Sequence, residues 1–140
     1  MKKTSKRGFT LIKFIVIMIV IAIIAAIAVP ALAGYIDEVR QRAYVAEARN
    51  IEVALQKIAT EARGNSQHLP GLYVNANVTG PGGKPLVDEI NMIIGTDFKG
   101  EDITDITLDI ESAKLLKFRW HADSNRAVIF ENDNFTVIYV

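Results

Sequence analysis

Residues Phe14–Val29 read FIVIMIVIAIIAAIAV, and the run without a charged residue continues from there to Ile36. As an α-helix, the 23 residues from Phe14 to Ile36 would span roughly 34 Å, which exceeds the hydrocarbon core of a bilayer at about 30 Å. The apolar part of an ordinary secretory signal is only about 7–15 residues long. The sequence therefore predicts one membrane-spanning helix and not a short cleaved export signal.

The charges before the apolar run indicate how this helix crosses the membrane. Lys2, Lys3, Lys6 and Arg7 precede it, and the first seven residues contain no acid. Because basic residues tend to stay on the cytoplasmic side, the N-terminus is predicted to lie in the cytoplasm and the rest of the chain outside. The expected location is the cytoplasmic (inner) membrane, crossed once.

The composition of the rest of the chain excludes several kinds of function. From Phe9 onward there are 12 basic and 16 acidic residues, a net charge of −4. Nucleic-acid binding depends on clustered Lys and Arg, so no nucleic-acid partner is predicted. The chain has no cysteine, which excludes disulfides, thiolate metal sites and thiol catalysis.

Helical periodicity continues beyond the apolar run. The spacing predicts one helix from Phe9 to Arg63, apolar all round over residues 9–36 and amphipathic over residues 37–63. Gly64 is expected to end the helix, because glycine accepts the left-handed conformation. The apolar stripe recurs every three or four residues and comprises Leu32, Ile36, Val39, Ala43, Ala46, Ile51, Ala54, Leu55, Ile58 and Ala62.

A proline interrupts the hydrogen bonding of the predicted span. Pro30 has no N–H and would leave the carbonyl of Ala26 without its helical donor. A kink or a weak point is expected there. The alternative is an ordinary proline that a membrane helix tolerates.

The junction between the basic residues and the apolar run carries a specific motif. It reads Lys6-Arg7-Gly8-Phe9-Thr10-Leu11-Ile12, and Pro30 follows 21 residues after Phe9. Over residues 6–60 the chain resembles the type IV pilins and the pseudopilins of type II secretion and DNA-uptake systems. The resemblance implies an α+β pilin fold, in which a long N-terminal helix packs against a small antiparallel β-meander.

The resemblance also implies how the chain is processed and assembled. A prepilin peptidase would remove the basic leader, residues 1–8, by cutting between Gly8 and Phe9, and would methylate the new amine of Phe9. Residues 9–36, hereafter the assembly segment, would lie in membrane lipid before assembly. They would then pack with copies of themselves and with other pilins in a cell-surface or periplasm-spanning filament. An inner-membrane assembly platform and its ATPase would be further partners, and helix would be lost near Pro30.

Lys13 departs from the family pattern. Pilins generally carry Glu four residues after the cleaved Phe, where its carboxylate neutralises the N-terminal amine of a neighbouring subunit. A charged Lys13 would instead place a second positive charge beside the first, and like charges repel strongly in a low-dielectric interior. Three interpretations stay open. The chain is a minor subunit at the filament tip, or Lys13 pairs with an acid on a different subunit type, or Lys13 is a natural or engineered variation in an ordinary subunit.

Residues 64–112 predict a loop region with one short helix. The helix is expected at Leu86–Ile94, with Pro85 at its first position and Gly95 past its end. Residues 65–85 are rich in glycine, proline and asparagine and are typical of a long surface loop. A strand is expected around Ile106–Ile110.

Residues 113–140 predict an antiparallel β-sheet. Its three strands are separated by two turn sequences rich in Asp and Asn and span Lys114–His121, Arg126–Glu131 and Phe135–Tyr139. Alternation places Leu116, Phe118 and Trp120 on one apolar face. That face is expected to pack against the amphipathic half of the long helix.

The sequence offers no catalytic constellation. His68 and His121 have no acidic or nucleophilic partner at a recognisable spacing, and Gly80-Pro81-Gly82-Gly83 lacks the frame of a phosphate loop. No enzymatic activity, cofactor or metal is therefore expected. An acidic surface is favoured over a calcium site for Asp97, Glu101, Asp102, Asp105 and Asp109.

The leading interpretation is therefore a structural filament subunit, either a pilin, a minor pilin or a pseudopilin. One alternative is a single-span adhesin or sensor ectodomain that stays monomeric. It explains the span but not Gly8-Phe9-Thr10-Leu11-Ile12. Another alternative is a secreted enzyme with an atypical signal. The sequence does not distinguish motility, adhesion, secretion and DNA uptake as the purpose of the filament.

Overall fold

The computed structural model describes residues 6–64, 71–109 and 112–140. The chain forms two structural units, residues 1–40 and residues 41–140. An α+β fold is confirmed, with a long N-terminal helix and a small antiparallel sheet. In chain order the elements are α1 (Lys6–Gly64), β1 (Leu72–Asn75), α2 (Leu86–Ile94), β2 (Ile103–Asp109), β3 (Lys114–Asp123), β4 (Arg126–Glu131) and β5 (Asn134–Tyr139).

In the first unit, the described residues belong to α1. The helix continues through Pro30 without interruption. The large apolar side chains from Phe9 to Ile36 are exposed.

In the second unit, α1 packs against the sheet along one face. Its buried residues are Ala48, Ile51, Ala54, Leu55, Ile58, Ala59 and Ala62. The predicted stripe is therefore confirmed from Ile51 onward, but it is exposed at its five earlier positions, Leu32, Ile36, Val39, Ala43 and Ala46. The periodic pattern predicts an apolar face, and the face is buried only where the sheet lies against it.

The described part of α1 extends to Gly64, the residue predicted to end the helix, but this glycine does not have the predicted conformation. The backbone of Gly64 does not lie in the left-handed region, and a Cβ at this position would meet no atom within 4 Å. A left-handed cap does occur at the end of α2, where Gly95 has φ 71° and its N–H donates to the carbonyl of Asn91. Pro85 precedes α2 at the N-cap, one position before the predicted one.

The sheet has five strands in the order β1-β2-β3-β4-β5, and every neighbouring pair is antiparallel. The predicted meander is confirmed as β3, β4 and β5. The hairpin between β4 and β5 turns at Asn132 and Asp133, whose φ angles are 53° and 61°. Two consecutive positive φ angles are typical of the type I′ turn, which matches the twist of the flanking strands.

The description of residues 64–112 as a loop region with a short helix is incomplete. Residues Leu72–Asn75 form β1, a strand that the loop-like composition concealed, and β2 spans Ile103–Asp109. The strand expected around Ile106–Ile110 begins three residues earlier, and Ile110 itself lies outside the described residues. Strand β1 is short and lies among turn-forming residues, which explains why its pattern is weak.

The expected place of Leu116 in the core is wrong. Leu116 is 43% exposed, while Leu115 is buried together with Phe118 and Trp120. On β2 the residues Thr107 and Leu108 are adjacent, yet they pair with Lys117 and Leu115, so Leu116 is an extra residue in β3. Such a bulge shifts the alternation by one residue, which simple periodicity does not predict.

Candidate functional site

The most prominent candidate site is the exposed apolar surface of the assembly segment. One helix of the described residues is long and apolar enough to cross a membrane, judged by its length and composition. Phe9 is 76% exposed, and the isoleucines and valines that follow are about half exposed or more. A continuous apolar surface of this size marks a contact with lipid or with other protein.

The expected cleavage bond lies within α1. The described part of the helix runs from Lys6 to Gly64 and so includes both Gly8 and Phe9. In the sequence, Lys6 and Arg7 directly precede this bond, and no acid occurs before Asp37. A cut between Gly8 and Phe9 would therefore fall inside the described helix.

Lys13 is exposed one turn further along the helix. Positions three, four and seven residues apart share a helix face, which places Lys13 with Phe9, Val16, Ile17 and Val20. All four of those side chains are apolar and exposed. Thr10 also shares this face, so from Phe9 onward Lys13 is the cation of a face that is apolar except for Thr10.

Pro30 marks a local weakness that a nearby glycine extends. Pro30 lies inside α1 and is exposed. Gly34 follows one turn later, and a Cβ there would meet no atom within 4 Å, so packing in this chain does not require glycine. Proline and glycine are the two poorest helix formers. Gly34 was not singled out from the sequence, although its position one turn after Pro30 is the signal.

The second unit holds α1 by an aromatic contact near the start of that unit. The hydroxyl of Tyr44 donates to Asp123 Oδ2 at 2.8 Å. The ring of Tyr44 meets Trp120 edge-on with centroids 6.3 Å apart, and Phe98 meets the same indole at 5.6 Å. Hydrogen bonds from the Asn125 N–H, the larger cause, and from Tyr44 lower the pKa of Asp123 below its ordinary value.

Gln56 connects α1 to the beginning of β3. Its Nε2 donates to the carbonyl of Ala113 at 2.6 Å, and its Oε1 accepts from the N–H of Leu115 at 2.9 Å. The amide thus pairs with the backbone in the manner of a neighbouring strand. Ala113 has φ 53°, so the two hydrogen bonds hold an unfavourable backbone conformation in place.

A carboxylate closes the glycine-rich loop. Glu89 Oε1 accepts from the N–H of Gly82 at 2.9 Å, and the loop is also closed by a hydrogen bond from the Gly80 N–H to the Lys84 carbonyl at 2.7 Å. Burial, the largest cause, raises the pKa of Glu89 above its ordinary value, and the charge of Glu61 raises it further. Burial also raises the pKa of Tyr73, with a smaller contribution from Glu89.

An open groove of about 310 Å³ lies beside this loop, between the C-terminal part of α1 and α2. Its lining combines apolar side chains with two basic and two acidic ones. The lining residues are Lys57, Ile58, Glu61, Gly82, Lys84, Glu89, Met92 and Ile93. The groove contains no arrangement of nucleophile and base.

The acidic residues between α2 and β3 form local contacts. Asp102 Oδ2 accepts from the N–H of Lys99 at 3.3 Å, and Asp105 lies 3.6 Å from Arg119. His121 Nδ1 lies 3.4 Å from the carbonyl of Asp102. Within residues 6–64, 71–109 and 112–140, no three His, Cys, Asp or Glu side chains are placed to hold a metal ion. His68 lies outside the described residues.

Of the residues singled out in the sequence, Gly8, Phe9, Lys13 and Pro30 all lie on α1. Gly8, Phe9 and Lys13 fall within two turns of one another, whereas Pro30 lies almost five turns further on. Residues 1–5 of the expected leader lie outside the described part of the chain. No protein-family model, curated protein or solved structure matches this chain in sequence or structure comparisons.

Proposed function

We propose that this protein is a type IV pilin-like structural subunit, held in the inner membrane by the assembly segment and then polymerised into a filament. The observation that supports this most is the exposed apolar surface of α1 directly after Gly8-Phe9-Thr10-Leu11-Ile12. A plain membrane anchor needs neither this motif nor a helix that continues into the extracytoplasmic domain. A filament subunit uses both.

The energetics of the assembly segment fit a subunit that changes its surroundings. Apolar area leaving water contributes about 25 cal/mol per Å², so the exposed segment is not stable in water. Lipid tails are as apolar as leucine, so transfer from lipid to a bundle of similar helices gains far less. A small free-energy difference between these two states supports extraction and return by an ATPase-driven assembly platform.

Processing comes before assembly in this proposal. A prepilin peptidase at the cytoplasmic face cuts between Gly8 and Phe9 and methylates the amine of Phe9. Gly8 supports access to this bond, because glycine is a poor helix former and has no side chain to obstruct an extended backbone. The basic residues of the leader are the orientation signal.

Mass spectrometry of the N-terminus tests the proposal. In cells that contain the processing and export apparatus, the mature chain is expected to begin at methylated Phe9 and to be recovered in filaments. Gly8→Val places a branched side chain at the cut and is expected to leave the leader attached. Gly34→Ala is the matched control, because it changes another glycine of the same helix that has free space around it.

Recovery of the intact chain, always as separate molecules, would contradict the filament and favour a second candidate. This is a single-span adhesin or sensor ectodomain that stays monomeric. Lys13 favours it, because a cation one turn from the membrane surface can reach the headgroups in a monomer but opposes burial among identical helices. Cleavage after the apolar run would instead support a secreted protein.

A further inference from the structure

The first quarter of the chain carries positive charge that it cannot neutralise by itself. The first 36 residues contain no acid, and Lys13 is the only charged residue of the assembly segment. The nearest acid along α1 is Asp37, 24 residues away. At about 1.5 Å per helical residue this is roughly 36 Å, far beyond the reach of a lysine side chain.

A second positive charge lies close to Lys13 once the leader is removed. The amine of Phe9 is then four residues from Lys13 on the same helix face, roughly 6 Å along the axis. Methylation leaves an amine that still takes up a proton. In the membrane, a lysine at this position can reach the lipid headgroups. When the segment leaves the membrane and packs with other helices, both charges enter an apolar environment together.

Copies of the assembly segment alone cannot balance these charges. Each added copy brings its own Lys13 and its own Phe9 amine, and its assembly segment brings no carboxylate. Charges of like sign repel more strongly as the surrounding dielectric falls, and a buried charge without a partner is strongly destabilising. A bundle built from this segment alone therefore collects the uncompensated charges of Lys13 and the Phe9 amine at one height along the bundle axis.

We infer that the partner of the assembly segment is an apolar helix of a different chain, with a carboxylate at the level of Lys13. Intramembrane ionisable residues typically pair with one another, and complementary charge is what this face lacks. The inference rests on the proposed function. It chooses a mixed assembly over a homopolymer, and it assigns Lys13 as the residue that selects the partner.

The test uses the full chain in phosphatidylcholine vesicles with three synthetic peptides as probes. Each peptide copies residues 9–36 with blocked ends, and position 13 is Lys, Gln or Glu. The Glu peptide has one carboxylate and no amine, so a membrane-permeant carbodiimide couples it only to amines of the chain. Mass spectrometry then maps the coupled lysine, and donor–acceptor fluorescence measures association for all three peptides.

The Glu peptide is expected to associate about tenfold more than the Gln or Lys peptide, given typical polar interactions between membrane helices. Coupling is expected at Lys13. A Lys13→Gln chain is expected to lose the preference, while a Lys13→Glu chain is expected to prefer the Lys peptide.

Three outcomes overturn the inference. One is equal association of the three peptides, and another is a preference for Glu that persists in the Lys13→Gln chain. The third is that phosphatidylserine in the vesicles removes the difference, which would make the lipid headgroup the partner of Lys13. N-terminal analysis keeps these results separate from the proposed function. A chain that begins at Phe9 without any preference contradicts only the mixed assembly, and a chain that is never cleaved contradicts the proposed function.

Discussion

At the scale of single residues, polar side chains of two helices in the second unit hold backbone groups outside those helices. Gln56 bonds the carbonyl of Ala113 and the N–H of Leu115, and Glu89 accepts from the N–H of Gly82 in the glycine-rich loop. Ala113 and Gly82 lie in irregular segments, whereas Leu115 lies near the start of β3. Each is a place where a side chain secures the connection between helix and sheet.

Gln56→Leu is expected to destabilise the protein by about 1–3 kcal/mol, because a partly buried donor and acceptor lose their partner. The measurement is the midpoint of denaturant unfolding. An unchanged slope of the free energy of unfolding against denaturant concentration, relative to wild type, confirms that the substitution changes stability. Lys57→Leu is the control at the next position. Its ion pair with Glu61 is exposed and 3.8 Å long, so its loss is expected to cost less than about 0.5 kcal/mol. Equal effects of the two changes would show that the paired amide of Gln56 contributes nothing specific.

Glu89 predicts how stability depends on pH. Its pKa is raised in the folded protein, so the folded state holds the proton more tightly than the unfolded state. Protonation of Glu89 therefore adds to the free energy of unfolding. This addition is fully present below the ordinary pKa of glutamate and is lost as pH rises through the raised pKa. Stability attributable to Glu89 is therefore expected to fall with rising pH in that window.

Glu89→Gln is expected to flatten this part of the pH profile, because glutamine still offers an oxygen to the Gly82 N–H and does not titrate. Thermal unfolding of both proteins across the acidic range checks the difference. Asp88→Asn is the control, since it removes the adjacent carboxylate of α2 and leaves Glu89 in place. A wild-type profile that rises through the window at the same rate as that of Glu89→Gln would refute the assignment.

At the scale of elements, α1 is one helix with two different surroundings. Its C-terminal face is buried from Ala48 onward, while its N-terminal part presents apolar side chains on all sides. The same backbone hydrogen-bond ladder runs through both parts except where Pro30 leaves the carbonyl of Ala26 without a helical donor. The position of Pro30 and Gly34 makes this stretch the weakest of the assembly segment.

Pro30→Ala is expected to strengthen the helix locally by about 3 kcal/mol, the interior cost of proline relative to alanine. Hydrogen exchange of the amides in residues 27–34, measured in detergent micelles, is expected to slow. If helix loss at this point accompanies assembly, the yield of filaments falls as well. Val29→Ala is the control, because it changes the adjacent residue without restoring a hydrogen bond. Unchanged exchange in Pro30→Ala would mean that the proline does not weaken the helix.

At the scale of the whole molecule, the second unit contains its own core. All buried apolar residues of the described chain lie at Ala48 or beyond, and they include Tyr73, Phe118 and Phe130 from the sheet. Phe118 stacks on Phe130 with centroids 5.5 Å apart, and Phe130 contacts Phe135 at 5.0 Å. Among the described residues, no member of this core comes from residues 6–40.

A fragment that starts at Gln41 is therefore expected to be soluble and monomeric and to unfold in one cooperative transition. Size-exclusion chromatography with light scattering and thermal circular dichroism measure both properties. A fragment that starts at Ala31 is the control. It adds exposed Leu32, Ile36 and Val39 but no core residue, so it is expected to self-associate more while its unfolding temperature stays the same. An unfolded Gln41 fragment would show that the first unit supports the core.

The sequence predicts strong periodic elements well and interrupted ones poorly. The extent of α1, the position of α2 and the boundaries of β4 follow from apolar spacing, proline, glycine and turn residues. Strand β2 was only partly predicted, because Asp105 has φ 53° and the pairing slips between Thr104 and Thr107, which breaks the alternation. The exposure of Leu116 and the role of Gln56 depend on how helix and sheet meet, which no local pattern encodes.

The missing donor at Pro30 also has a mechanical consequence. Under tension along its axis, a helix unwinds first where a backbone hydrogen bond is missing. In α1 that bond is the one to the carbonyl of Ala26. When a residue changes from helical to extended backbone, its rise along the axis increases from about 1.5 Å to about 3.3 Å. Unwinding the five residues from Pro30 to Gly34 would thus lengthen each subunit by roughly 9 Å. A fibre built from such subunits would stretch before its packing failed.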